Sequence, residues 1–155
     1  MFKLAAIGLD TSHTTVFADM IQGEKKLVDK LRVQSCMRFP TPFQSEEGQD
    51  ERQAKLEALG VTVTRSLDEA VQGVDGILLE INDPTFHLEY FKKVAELGLP
   101  VFVDKPLADS LESAQEIAAL VKRHDMKVWT ASSLRFTPEI IACKESVANP
   151  KYSNV

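Results

Sequence analysis

Short apolar runs alternating with helix-period segments predict a doubly wound α/β domain, a mostly parallel six-stranded sheet with helices on both faces. Three observations carry this. The strand segments are continuously apolar rather than alternating, the stretches between them repeat at helical spacing, and glycines or prolines mark the boundaries. The 155 residues are 44% hydrophobic and 26% charged, a size and balance that support one core without disulfides or a structural metal.

Leu4 to Ile7, closed by Gly8, is the first strand, and Val16, Phe17, Met20 and Ile21 then recur at helical spacing up to Gly23. Leu31 to Met37 is the second strand and ends at Arg38. A loop punctuated by Pro40, Pro42, Ser45 and Gly48 leads to a helix expected from Asp50, with Gly60 as its C-terminal cap. Val61 to Thr64 is a short third strand, and Ser66 and Glu69 stand at capping-box spacing before a short helix.

Asp75 to Ile81 is the fourth strand. Asp83-Pro84 supplies an N-cap and first-turn proline for a helix whose Leu88, Phe91 and Ala95 share one face before Gly98. Pro100 to Asp104 is the fifth strand, followed by a stripe of Leu111, Ala114, Ile117, Ala118 and Val121. Lys127 to Ala131 is the sixth, and Thr137-Pro138 opens a helix toward Val147, with a polar tail from Asn149 to Val155.

Eighteen basic against 23 acidic residues give a net charge of −5 with no basic patch, so no nucleic-acid partner is expected. No apolar run approaches the roughly 20 residues that cross a bilayer, and the N-terminus lacks the features of a secretory signal. A cytoplasmic protein without membrane contact is expected. Cys36 and Cys143 have no partners at metal-ligand spacing and are expected as reduced, core-packed thiols.

In a doubly wound sheet ligands bind beyond the carboxyl ends of the strands, so candidate residues are those just after them. After the first strand comes Gly8-Leu9-Asp10-Thr11-Ser12-His13, where a dinucleotide fold carries G-x-G-x-x-G. Asp10 and His13 fill the second and third glycine positions, and a carboxylate there opposes a diphosphate. Thr11, Ser12 and the helix N-terminus still offer donors to an anion, and Asp10 has the option of capping the helix. The loop reads equally as a capped helix start with no ligand.

Arg38 stands where an NAD site usually carries an acidic residue, which favours the 2′-phosphate of NADP; the alternative is a solvated surface arginine. After the fourth strand comes Asn82-Asp83-Pro84-Thr85-Phe86-His87, and after the fifth Asp104-Lys105-Pro106. A strand-end lysine beside a carboxylate is placed to exchange a proton with a substrate oxygen if burial lowers its pKa; a solvated lysine at a turn is the plainer reading. Asp10, His13 and His87 considered as metal ligands lack any HxH or HxxxH spacing, so no metal is expected. His124, at a helix end, reads as a favourable charge near the negative end of the dipole.

Taken together, Val101-Phe102-Val103-Asp104-Lys105-Pro106-Leu107-Ala108, the earlier Pro84 to His87 segment and Leu134-Arg135-Phe136-Thr137-Pro138 resemble the N-terminal half of the Gfo/Idh/MocA (glucose-fructose oxidoreductase/inositol dehydrogenase) family. The resemblance implies a Rossmann-like NAD(P)-binding domain over residues 1–135, with 136–155 leading to a C-terminal substrate domain absent from this sequence. It implies Lys105 as catalytic lysine against a sugar, polyol or related hydroxy substrate, with Asp104 replacing the usual glutamate. It implies a cofactor crevice of Gly8, Asp10, Thr11, Ser12, His13, Arg38, Asn82, Pro84, His87, Asp104 and Pro106. NAD or NADP is the implied cofactor, and the absent domain is where substrate contacts and a homo-oligomer interface would lie.

The sequence departs from that family at the glycine fingerprint, at the acidic residue after the second strand, and by one extra residue between Asp75 and His87. Without the second domain the chain is expected to be inactive alone, because positioning supplies about 7–11 kcal/mol of the barrier in well-oriented reactions. The alternative is a binding or scaffold module that kept the fold and lost cofactor affinity.

Overall fold

The computed structural model describes residues 1–24 and 27–147; the polar tail from Asn149 lies outside the described residues. Six strands, β1 (Phe2–Ile7), β2 (Leu31–Met37), β3 (Thr62–Thr64), β4 (Gly76–Leu79), β5 (Val101–Asp104) and β6 (Val128–Ala131), form one sheet in the order β3-β2-β1-β4-β5-β6. Every pairing is parallel, as expected where each strand is followed by a crossover. The order reverses between β1 and β4, the switch point of a Rossmann-type sheet.

Five helices make the crossovers, α1 (Ser12–Gly23), α2 (Glu46–Ala58), α3 (Leu67–Ala70), α4 (His87–Ala95) and α5 (Leu111–Arg123), and α6 (Pro138–Val147) follows the last strand. The apolar strands are buried from both sides. On one face Ile7, Leu79 and Val103 pack against Phe91 and Val94 of α4 and Ile117 of α5. On the other, Ala6, Val33 and Cys36 pack against Ala18 of α1 and Leu56 of α2. That second face is bare beyond α1, where Leu78, Phe102 and Trp129 line a groove of about 480 Å³ and Trp129 is 58% exposed.

Several boundaries differ from the sequence reading. β1 begins at Phe2 because its backbone pairs with Leu31 and Arg32, although Phe2 and Lys3 are exposed. α2 begins at Glu46 rather than Asp50: Ser45 Oγ accepts the Gly48 N–H, and Glu46 and Glu47 sit at the positive end of the dipole. By Pro and Gly content alone, that stretch reads as loop. Asp83 caps a 3₁₀ turn, Pro84–Phe86, and α4 starts only at His87. Cys36 is buried, but Cys143 is exposed on α6, whose apolar residues find no core to join.

Gly8 fixes how closely β1 approaches β4. Its φ is +110°, and a Cβ there would lie 2.3 Å from the Glu80 carbonyl oxygen. Its own carbonyl accepts the Thr14 hydroxyl at 3.0 Å, tying the strand end to the first turn of α1. Gly8→Ala therefore meets both backbone strain and a backbone clash, and is expected to lower stability by about 3 kcal/mol or more. Urea unfolding should show a lower midpoint at an unchanged slope; a midpoint equal to wild type would show that β1 and β4 can separate freely.

Candidate functional site

Strands β1, β4 and β5 are neighbours, so the residues that follow them arrive on one rim. From the β1 side come Asp10 to His13. Thr11, not Asp10, caps α1, its Oγ1 accepting the His13 N–H at 3.2 Å. Asp10 is buried and turns the other way, where its Oδ1 accepts the Asn82 N–H at 3.0 Å. This engages one carboxylate oxygen with the β4 side, while the other, Oδ2, is buried without a partner among the described residues, and Ser12 at the head of α1 is exposed. On the other side of the loop, Arg52 of α2 donates from Nη1 to the Leu9 carbonyl at 2.9 Å.

His13 reaches across the end of β4 to Asp104 at the end of β5, with 2.6 Å between Nδ1 and Oδ2. A carboxylate only accepts, so the shared proton belongs to the imidazole. Lys105 points its amine at the same oxygen from 3.9 Å. Its side chain is 47% exposed, so the desolvation invoked for it from sequence is missing. Pro106, joined to Lys105 through a cis peptide, is exposed beside it.

Beneath this contact lies Glu80, which sequence reasoning missed as a site residue. It is fully buried, and neither carboxylate oxygen has a hydrogen-bond partner among the described residues. Burial, and secondly the charge of Asp104, push its carboxyl up to about 8, with Lys105 opposing. The available signal was a glutamate set into the apolar run Leu78-Leu79-Glu80-Ile81, where a charged residue is out of place unless paired. Arg52 was also missed, and nothing in its local sequence marks it.

Two candidates from the sequence sit elsewhere than the crevice surface. His87 is fully buried, with Nε2 at 2.8 Å from the Ile81 carbonyl and Nδ1 at 3.2 Å from the Leu107 carbonyl. It clamps the loop after β4 to the loop after β5 from below. Arg38 is neither a solvated arginine nor a free phosphate ligand. Its guanidinium is only 4% exposed and is held by Asp50 and Glu46, each at 2.6 Å, and by Gln53 at 2.7 Å. A 2′-phosphate would have to displace those carboxylates. Asn82 and Pro84 are half-buried on the β4 side of the rim.

Asp10, His13 and His87 have no metal-ligand spacing in the sequence. The three do not assemble: Asp10 faces Asn82 and His87 faces two carbonyls. What does gather is His13, Glu80 and Asp104, which bring one donor atom each within 4.8 Å of one another.

Glu80 gives the site a stability signature. Its carboxyl is raised in the folded state, so the folded chain holds the proton more tightly than the unfolded one. Stability is then greatest below the ordinary carboxylate range and falls as pH rises through that range to about 8. Chemical denaturation of the wild-type chain should show a loss of order a few kcal/mol across this window. Glu80→Gln should flatten the profile, and an unchanged slope in that variant would assign the pH dependence to another group.

A profile of the Gfo/Idh/MocA oxidoreductases, described as an oxidoreductase family with an NAD-binding Rossmann fold, matches residues 44–132. A myo-inositol dehydrogenase of Streptomyces leeuwenhoekii is 31% identical over 83 residues, covering 53% of this chain and 25% of that protein. Among solved structures, GenD2 of gentamicin A biosynthesis, in complex with NAD, superposes with a TM-score of 0.74 at 18% identity over 97% of this chain and 40% of its own. Biliverdin reductase of Synechocystis, in complex with biliverdin and NADP+, gives 0.73 at 13% identity over 94% of this chain and 42% of its own. The matched part of the chain covers about a quarter of the length of the curated relatives. With the profile covering more than half of the sequence, on a sheet of Rossmann order, the chain belongs to the Gfo/Idh/MocA oxidoreductase family.

Proposed function

We propose that this chain is the nucleotide-binding half of an NAD(P)-dependent oxidoreductase that moves hydride between nicotinamide and a sugar, polyol or related hydroxy compound. The observation that carries the reading is Lys105, half-exposed at the end of β5 beside Asp104, on the rim that the β1 and β4 loops share. The residues fit a dinucleotide. Asp10 is turned under toward Asn82, Ser12 stands exposed at the head of α1, and Arg52 adds positive charge beside the loop.

When bound, the nicotinamide supplies or accepts the hydride. The first turn of α1, with Thr11 and Ser12, would hold the pyrophosphate, since a helix N-terminus favours an anion. Lys105 gives a proton to, or takes one from, the substrate oxygen, and Asp104 steadies its amine. Asn82 and Pro84 border the crevice, and His87 acts as a positioning residue through the Ile81 and Leu107 carbonyls. Arg38, committed to Glu46 and Asp50, gives no preference for NADP.

The reading extends to architecture. Residues 1–135 form the nucleotide domain, and 136–155 lead toward a C-terminal domain that carries substrate contacts and a homo-oligomer interface. Leu134 and Phe136 are each 67% exposed, Ile140 and Ile141 of α6 are also exposed, and the groove at Phe102 and Trp129 is bare. Apolar surface of this kind is what a further domain covers. Among the described residues no helix is long and apolar enough to cross a membrane. A cytoplasmic setting suits the free thiols Cys36 and Cys143.

One observation favours a second reading, a Rossmann-fold binding module without cofactor: His13, at the third glycine position, is bonded to Asp104 across the rim. Nicotinamide fluorescence separates the two. Titration with NADH and NADPH should give saturable enhancement with at least one of them, without turnover by this chain alone. No change with either at millimolar concentration selects the binding module. In a two-domain parent, Lys105→Ala should lower kcat/KM by about 100-fold or more with folding intact; unchanged kcat/KM removes the lysine from the chemistry.

A further inference from the structure

Glu80 is not used by the proposed mechanism, and its surroundings do not explain it. Buried carboxylates are normally satisfied by donors or by a cation. Both oxygens of Glu80 lack a partner among the described residues, although the side chain is fully buried. It shares its position with two other groups that bind cations, the imidazole of His13 and the carboxylate of Asp104, all with donor atoms within 4.8 Å. Glu80 directly follows β4 and Asp104 ends β5, neighbouring strands, while His13 reaches them from the first turn of α1, which follows β1 on the other side of β4.

We propose that His13, Glu80 and Asp104 form a binding site for one divalent transition-metal ion, of the zinc class. One imidazole nitrogen and two carboxylate oxygens are a borderline donor set that suits Zn²⁺ better than Mg²⁺ or Ca²⁺, which take oxygen ligands. Three protein ligands leave the fourth tetrahedral position for water or another small oxygen ligand. In a tetrahedral site with bonds near 2 Å, ligand atoms lie about 3.3 Å apart. The His13–Asp104 separation, 2.6 Å, is shorter than that and would open by a few tenths of an ångström, and no pair in the set exceeds 4.8 Å.

The adjustment needed is small and falls on the side chain able to move. His13 is 36% exposed, whereas Glu80 and Asp104 are fixed by burial, so the ion enters from the His13 side. Binding releases the proton that His13 and Asp104 share, together with any proton carried by Glu80, and satisfies the Glu80 carboxylate. Lys105, 3.9 Å from Asp104 and half-exposed, is free to turn its amine to solvent. Neither cysteine belongs to this set: Cys36 is buried with its thiol pushed up to about 12, and Cys143 is on α6. The site requires no nucleotide for binding, but it draws Asp104 away from Lys105, so metal binding competes with the role proposed for the lysine.

The test is a competition titration of Zn²⁺ against a chromophoric chelator, on the chelator-stripped chain with Cys143→Ser as background. One ion per chain is expected. His13→Ala and Glu80→Gln should each weaken binding by at least about tenfold, while His124→Ala, on an exposed histidine, should leave it unchanged. Circular dichroism reports whether each variant folds. If Glu80→Gln does not fold, His13→Ala decides, because its side chain is partly in solvent. Absence of a one-to-one complex, or equal affinity in wild type and the folded His13 and Glu80 variants, overturns the proposal.

Discussion

The close approach of β1 to β4 at Gly8 governs the rest of the site. Because that residue carries no side chain, its backbone lies against the Glu80 carbonyl, and the loop after β1 crosses the rim low enough for its side chains to reach the neighbouring strands. Asp10 meets the backbone of Asn82 after β4, and His13 passes over β4 to meet Asp104. A β1 loop lifted away by even a methyl group would forfeit both contacts. The apolar packing on the two sheet faces matters here chiefly because it holds these three strand ends in register.

The chemistry of the rim follows from what is buried there. Asp10, Glu80 and Asp104 are all nearly inaccessible, and each is handled differently. Asp10 is partnered by a backbone amide, Asp104 by an imidazole and an amine, and Glu80 by no group among the described residues. Desolvation therefore falls most heavily on Glu80, which accounts for the rise of its carboxyl to about 8. On the same side, Arg52 donates to the Leu9 carbonyl and adds positive charge near this acidic rim.

Much of the fold was legible because strand burial leaves a direct trace in residue order. Continuous apolar runs such as Leu4 to Ile7 and Val101 to Val103 are read without knowing their neighbours. The start of α2 was not, since Ser45 acts as a cap only once its hydroxyl meets the Gly48 amide, and the same residues serve equally well in a loop. The Asp104-Lys105-Pro106 segment was legible as a candidate because its residues resemble a family motif at a strand end. The roles of His87 and Arg38 were not, because residue type does not reveal whether a charge faces solvent or two carboxylates.

By itself, then, the sequence determined the class of fold, the six strands and the strand-end position of the lysine, all of which depend on local periodicity and short-range turn chemistry. The tertiary structure alone decided which side chains meet. His13 and Asp104 are 91 positions apart, and Arg38 reaches carboxylates on a helix whose start was misplaced. Contacts between crossovers depend on sheet order and on how deeply each strand end is buried, and neither quantity is written in a short window of residues.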